Sequence, residues 1–220
     1  MTASRPTLLD TLAHAAVLRA LDVFAGAPCI LLDATAGNGH DTCFLAAALR
    51  DHRCAAGGGL VLACDVQEAA VLAATSRLRE AGLASLARVA LCGHERIAAR
   101  MPPQLPLAAG MFNLGYLPGS DRRHTTAADT TLAALEQAAA RLAGGGVLTL
   151  HCYTGHPGGQ EEADAVRRFA RTLPPRRWRV LECADANRDQ RGEIVLLLEK
   201  LPERRPRVPE QGSRTAVAPA

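Results

Sequence analysis

The sequence is nearly without lysine and poor in aromatic residues. Lys200 is its only lysine, so positive charge is carried by arginine, and Phe, Trp and Tyr together make up 3% of the 220 residues. The core must be built from Leu, Val, Ile and Ala, and an aromatic beside a motif, such as Tyr116 or Tyr153, stands out. A large excess of either charge is absent too. Formal net charge is +3, and the last twenty residues hold Arg204, Arg205, Arg207 and Arg214 against Glu203 and Glu210, which leaves the body at +1. That excludes a highly basic nucleic-acid coat and leaves a local basic patch open.

The seven cysteines, 29, 43, 54, 64, 92, 152 and 183, include no Cys-x-x-Cys pair. An odd number in that spacing fits neither a disulfide framework nor a zinc ribbon, so no metal is expected and the thiols suit a reducing cytoplasm. No long apolar run occurs either. The stretch Leu12 to Ala25 is broken by His14, Arg19 and Asp22, which excludes a secretory segment and a membrane span. No internal repeat is found.

What is present fits one soluble globular domain. Hydrophobic residues at 48% and charged residues at 21% can support a core, and the length suits a single domain over 1–200. From about 201 to 220, Pro, Arg and small residues without periodicity predict a disordered tail. Thr7 with Asp10 reads as a capping box ahead of a helix whose Leu8, Leu12, Ala15, Leu18 and Leu21 recur at helical spacing. Apolar runs at Cys29 to Asp33, Leu60 to Asp65, Arg88 to Cys92, Leu107 to Asn113 and Val147 to Tyr153 read as strands. Helical stretches fall between them at Asp41 to Leu49, Gln67 to Ala81 and Asp129 to Leu142, the last capped by Gly144 to Gly146. Residues 51–59 read as a glycine-rich connection. After a helix over Glu161 to Leu173, the strands Trp178 to Cys183 and Glu193 to Glu199 have no helix between them and pair as a hairpin. The alternation predicts an α/β fold: a mostly parallel, Rossmann-like, seven-stranded sheet with a C-terminal antiparallel hairpin and ligands at the strands' carboxyl ends.

Three of those ends carry chemistry. In Asp33-Ala-Thr-Ala-Gly37-Asn38-Gly39-His40-Asp41-Thr42, the glycines permit a tight turn and a close ligand. A dinucleotide fingerprint would have Gly or Ala where Thr42 stands, and the flanking acids would repel a pyrophosphate. Asp33 and Asp41 suit an amine-bearing cation, and S-adenosylmethionine has an ammonium, a sulfonium and a carboxylate but no phosphate. Asp65, ending the second strand, is placed to chelate two ribose hydroxyls. At the fourth strand, Phe112-Asn113-Leu114-Gly115-Tyr116-Leu117-Pro118-Gly119 resembles the Asn-Pro-Pro-Tyr element of methyltransferases acting on exocyclic amines. After the fifth, Tyr153-Thr-Gly155-His156-Pro157-Gly158-Gly159 offers a Tyr and a His to bind substrate or take a proton. His14, His40 and His94 could line the cofactor pocket or serve as packing residues. Arg122 and Arg123, with Arg167, Arg168, Arg171, Arg176, Arg177 and Arg179, could hold a phosphate backbone near the pocket or form a solvated face.

Taken with Asp65-Val-Gln67, Asp129-Thr-Thr131 and Gly155 to Gly159, these motifs resemble the small bacterial class I methyltransferases labelled rRNA methylases. Characterised members of that family methylate the aminomethyl nitrogen of 5-aminomethyl(-2-thio)uridine at the tRNA wobble position. The resemblance implies S-adenosylmethionine held by Asp33, Gly37, Asn38, Gly39, His40, Asp41, Thr42, Asp65, Gln67, His94, Asn113 and Gly115. It implies catalysis by Asn113, Tyr116, Asp121 and His156. Leu117, Pro118, Gly119, Arg122, Arg123, Tyr153 and His156 would contact the anticodon region of tRNA. Asn113 would orient a primary amine toward the methyl group, and Asp121 or His156 would take the proton that the amine must lose. The alternatives are an rRNA base or a small-molecule amine as acceptor, or a non-catalytic cofactor- or RNA-binding module. Oligomeric state stays open, a homodimer included.

Overall fold

The computed structural model describes residues 6–115, 126–187 and 192–203. Tyr116, Leu117, Pro118, Gly119, Asp121, Arg122 and Arg123 lie outside the described residues, as does the chain from 204 onward.

Short apolar runs pair into one sheet whose central strands are buried on both faces. Its strands are β1 (Ile30–Asp33), β2 (Leu60–Asp65), β3 (Ala87–Leu91), β4 (Leu107–Leu114), β5 (Leu142–Tyr153), β6 (Trp178–Ala184) and β7 (Glu193–Lys200). The spatial order is β3-β2-β1-β4-β5-β7-β6. The first five are parallel, and β7 lies antiparallel between β5 and β6, which realises the expected hairpin. Parallel neighbours require crossovers, supplied by α2 (His40–Asp51), α3 (Glu68–Glu80) and α4 (Ala128–Arg141). α5 (Gly159–Thr172) follows β5, and α1 (Leu8–Phe24) opens the chain.

Alternate strand residues feed two cores. Leu31, Val61, Met111 and Val195 pack with Val17 of α1 and Leu45 and Leu49 of α2. Ile30, Leu32, Phe112 and Leu150 face Leu135 of α4 and Val166 of α5. Each fully buried side chain of this size contributes roughly 1.5–3 kcal/mol. Because β1 neighbours both β2 and β4, the chain leaves β1 in one direction for β2 and β3 and returns on the other side at β4. The carboxyl ends of β1 and β4, with α1 and α2 on one face and α4 and α5 on the other, are the switch point whose crevice binds ligands in such sheets.

Three expectations are corrected. Helix α1 has its capping box, with the Thr7 hydroxyl accepting from the Asp10 amide, but it buries Leu9, Ala13, Val17, Ala20 and Leu21. Leu8 is 74% exposed, and Leu12 and Leu18 are exposed as well. Two apolar stripes run along this helix, and spacing alone does not say which one meets the sheet. Gly144 to Gly146 do not cap α4; they belong to β5, where the register jumps from Leu107 opposite Leu142 to Ala109 opposite Val147, and the extra residues bulge out. Finally, the arginines at the end of α5 and on the hairpin lie toward the amino edge. Helix α5 starts at the carboxyl edge and runs back, and Arg179 is in register with Glu199, itself opposite Val147 near the amino-terminal part of β5. Arg171, Arg176, Arg177 and Arg179 thus sit at the amino edge, with Arg179 paired to Glu199 at 3.1 Å and Arg177 to Glu203 at 3.7 Å. Arg167, further up α5, is held by Asp164 and Glu182.

Candidate active site

Strand β1 drives its last residue inward. Asp33 has no exposed surface; one carboxylate oxygen accepts from the Thr42 hydroxyl at 2.5 Å and the other from the Thr35 amide at 3.2 Å. Burial, with the nearby Asp41 charge second, pushes its pKa up to about 7. The loop then turns toward β2, where Asp65 accepts from the Gly37 amide at 3.0 Å and the Gln67 amide at 2.9 Å. Each Asp65 oxygen keeps a second acceptor position. Gly39, the N-cap of α2, has φ +77, and a Cβ there would stand 2.5 Å from the Ala74 Cα, so α3 can close on the loop only if this residue is glycine. Arg77 donates to the Asn38 carbonyl at 2.7 Å and pins the turn, and His40 is exposed at the start of α2.

Across the crevice, the Asn113 amide donates to the Thr35 hydroxyl at 2.7 Å, tying the β4 exit to the β1 loop. The Asn113 side chain donates through Nδ2 to Asp41 Oδ2 at 2.6 Å, while Asp41 Oδ1 meets His14 Nε2 at 2.8 Å. His14 lies stacked on Phe44, with ring centroids 3.8 Å apart. Burial would raise the Asp41 pKa, but the hydrogen bonds from His14 and Asn113 outweigh it and hold the carboxyl below its ordinary value. An ionised carboxylate only accepts, so Asn113 must turn its NH₂ toward Asp41, which leaves Oδ1 as the acceptor for an incoming N–H. Gly115 brings Tyr153 and His156 against this exit: a Cβ on it would lie 3.3 Å from the Tyr153 Cβ and 3.5 Å from His156 Nε2.

Beyond Asn113 lies a cluster the sequence did not reveal. Asn113 is in register with His151, which is 3% exposed. His151 Nδ1 is 3.2 Å from Asp10 Oδ1 and 3.4 Å from the Tyr153 hydroxyl, and Nε2 is 3.2 Å from Glu193 Oε2. Tyr153 stacks on the imidazole at 4.3 Å. Burial first, then the charges of Asp10, Glu193 and Asp41, raise the Tyr153 pKa and keep its phenol protonated. The available signal was the pair His151 and Tyr153, two apart on one strand and so on one face; Asp10 showed only its capping role.

On the opposite face, His94 is 7% exposed, tilted against Phe112, and its Nε2 is buried with no hydrogen-bond partner among the described residues. Burial lowers its pKa and keeps it neutral. The Thr126 amide donates to the Gly115 carbonyl at 3.0 Å, and buried Glu162 accepts from the Thr126 and Thr131 hydroxyls at 2.6 Å each. All seven cysteines are free, and burial pushes Cys152 up to about 12, so it is no thiolate nucleophile. Among the described residues, no three His, Cys, Asp or Glu side chains are grouped to hold a metal ion, and no helix is long and apolar enough to cross a membrane.

The crevice fits S-adenosylmethionine in kind. It offers a buried carboxylate for a cation, spare Asp65 acceptors for a diol, an orphaned imidazole nitrogen for a base, and a glycine turn for close approach. Among solved structures, the chain is similar to the "putative rRNA-methylase" of Clostridium thermocellum, with 28% identity, TM-score 0.77, and coverage of 91% of this chain and all of that one. It is equally similar in kind to a "putative methyltransferase" from Streptococcus mutans in complex with SAH, with 30% identity, TM-score 0.74, and coverage of 91% of this chain and 100% of that one. Fold and site together define a class I methyltransferase with S-adenosylmethionine as cofactor. More narrowly, residues 61–199 match the family described as "Putative rRNA methylase", and the chain belongs to that family. It is also 34% identical over 175 residues to the chloroplastic "tRNA (mnm(5)s(2)U34)-methyltransferase" of Arabidopsis thaliana; the match takes in 77% of this chain and spans 63% of that protein's length.

Proposed function

We propose that the protein methylates the aminomethyl nitrogen of 5-aminomethyl(-2-thio)uridine at the wobble position of tRNA, in a reducing compartment such as the cytoplasm. The observation that carries this reading is the Asn113 carboxamide, held at 2.6 Å by Asp41 so that its oxygen is left to accept from an amine. The 34% identical tRNA methyltransferase supports tRNA as the acceptor, and the carboxylates Asp10, Asp41 and Glu193 around the β4 and β5 exits favour a cationic amine over a neutral base nitrogen.

When bound, the cofactor supplies a methyl group on a sulfonium that departs as a thioether. In this reading, Asp33 balances the cationic end, Gly37 and Gly39 let the backbone approach, Asp65 accepts from the ribose hydroxyls, and His94 faces the adenine. Asn113 Oδ1 accepts from the substrate N–H and aims the nitrogen lone pair at the methyl carbon, so most of the acceleration comes from positioning. Tyr153 and His156 flank the incoming base.

The test is methyl transfer from labelled S-adenosylmethionine to bulk tRNA, rRNA and small primary amines in parallel. Transfer to tRNA from cells lacking the terminal wobble methylation is expected. Preference for rRNA or for a free amine replaces this reading, and cofactor binding without transfer to any of the three reduces the protein to a binding module.

A further inference from the structure

The proposed substrate arrives as an ammonium, which has no lone pair to attack with, so a proton must leave before methyl transfer. Of the two acceptors expected from the sequence, Asp121 lies outside the described residues, and His156 Nδ1 faces the Pro157 carbonyl at 3.0 Å. The edge does contain a buried imidazole with both nitrogens provided for, and nothing in the methyl-transfer geometry uses it.

We propose that His151, clamped between Asp10 and Glu193, accepts the substrate's proton through the hydroxyl of Tyr153. This rests on the reading of the acceptor as a primary amine. The path uses one tautomer of the ring. With Nε2–H donated to Glu193 at 3.2 Å, neutral His151 presents Nδ1 as an acceptor to the Tyr153 hydroxyl at 3.4 Å. The phenol oxygen takes a proton from the ammonium as the phenol gives its own to Nδ1, so Tyr153 ends unchanged. The freed nitrogen lone pair forms the new bond to the methyl carbon, the carbon–sulfur bond breaks, and its electron pair stays on sulfur. The product nitrogen carries the positive charge, and the proton remains on His151 until it leaves to water.

Asp10 completes the device. Its Oδ1 is 3.2 Å from Nδ1 and stabilises the imidazolium once formed, while its Oδ2 accepts from the Thr7 amide at 2.8 Å and fixes the side chain at the start of α1. The groups facing His151 are Asp10 from α1, Asp41 from α2 with His14 on its far oxygen, Asn113 from β4, Tyr153 from β5 and Glu193 from β7. Three carboxylates stand in this set, two of them 3.2 Å from the ring nitrogens. Asp10 and Glu193 are partly exposed, at 30% and 39% of their side chains, so the proton has a route to solvent that the 4% exposed imidazole lacks.

The experiment is the single-turnover rate of methyl transfer to aminomethyl-bearing tRNA against pH, for the wild type, His151→Gln and Glu193→Gln, with SAH affinity measured by calorimetry on each. The wild-type rate should rise with pH to a plateau. His151→Gln should lose about a hundredfold at neutral pH and recover steadily as the amine ionises by itself, with SAH affinity unchanged. Glu193→Gln keeps the imidazole but removes a carboxylate, so its profile should move to lower pH by about one unit. A purely structural role for His151 would lower the rate equally at every pH, and that result, or a profile identical to the wild type, overturns the proton path. Absence of wild-type transfer to this tRNA overturns the substrate reading and the path with it; wild-type transfer with parallel variant profiles overturns the path alone.

Discussion

In the proposed site Asn113 orients the acceptor amine and Asp33 balances the cofactor's charge, and each role makes a separable prediction. Asn113→Ala removes the acceptor oxygen but no part of the glycine turn, so the transfer rate should fall about a hundredfold or more while SAH affinity stays unchanged. Equal losses in both would overturn its orienting role. Asp33 has its folded pKa raised to about 7 from an ordinary 3.8. Between those values the folded state holds a proton that the unfolded chain has given up, so stability conferred by the neutral carboxyl is present below about pH 4 and is lost as pH rises through 7. A cation bound beside the ionised carboxylate offsets that loss. Thermal melts should therefore show S-adenosylmethionine raising the Tm more at pH 8 than at pH 5 in the wild type, and by a pH-independent amount in Asp33→Asn. A pH-independent rise in the wild type would remove Asp33 from the cofactor's charge balance.

Asn113, Asp33, Asp65 and the glycine turn were legible in the sequence because each ends a short apolar run, and strand ends in a parallel sheet share one edge. The cluster around His151 was not. Asp10 and Glu193 lie near opposite ends of the chain, and only the placement of α1 and the insertion of β7 beside β5 bring them to one imidazole.

At the scale of elements, α1 shows the limit of periodicity. The stripe that α1 buries, Leu9, Ala13, Val17, Ala20 and Leu21, is made mostly of small residues, whereas the leucines at 8, 12 and 18 are exposed. Leu9→Ala should cost about 2–4 kcal/mol in denaturant unfolding, and Leu8→Ala less than about 0.5 kcal/mol. Reversed costs would contradict the packing of α1. The loop between β1 and α2 is stricter still. Gly39→Ala must place a Cβ 2.5 Å from the Ala74 backbone at a positive φ, so it should lower the Tm and displace the loop that holds Asp65. A variant with wild-type Tm and wild-type SAH affinity would show that α3 does not close on this turn.

For the whole molecule, the alternation of strands and helices was enough to predict the sheet, its parallel body and its terminal hairpin. It did not say which edge each arginine occupies, because that follows from where α5 ends and from the register of β6 on β7. Replacing Arg171 and Arg176 by glutamate should accordingly leave the KM for tRNA unchanged at moderate salt; a rise of about tenfold or more would bring the amino edge into tRNA binding.

In the proposed function a primary amine of the wobble uridine lies beside Asn113. Its most direct test is mass spectrometry of nucleosides from undermethylated tRNA incubated with the protein and S-adenosylmethionine. The prediction is conversion of 5-aminomethyl-2-thiouridine to its methylaminomethyl form, abolished in Asn113→Ala. A methyl group found instead on a ring nitrogen, on ribose or on another nucleotide would contradict it.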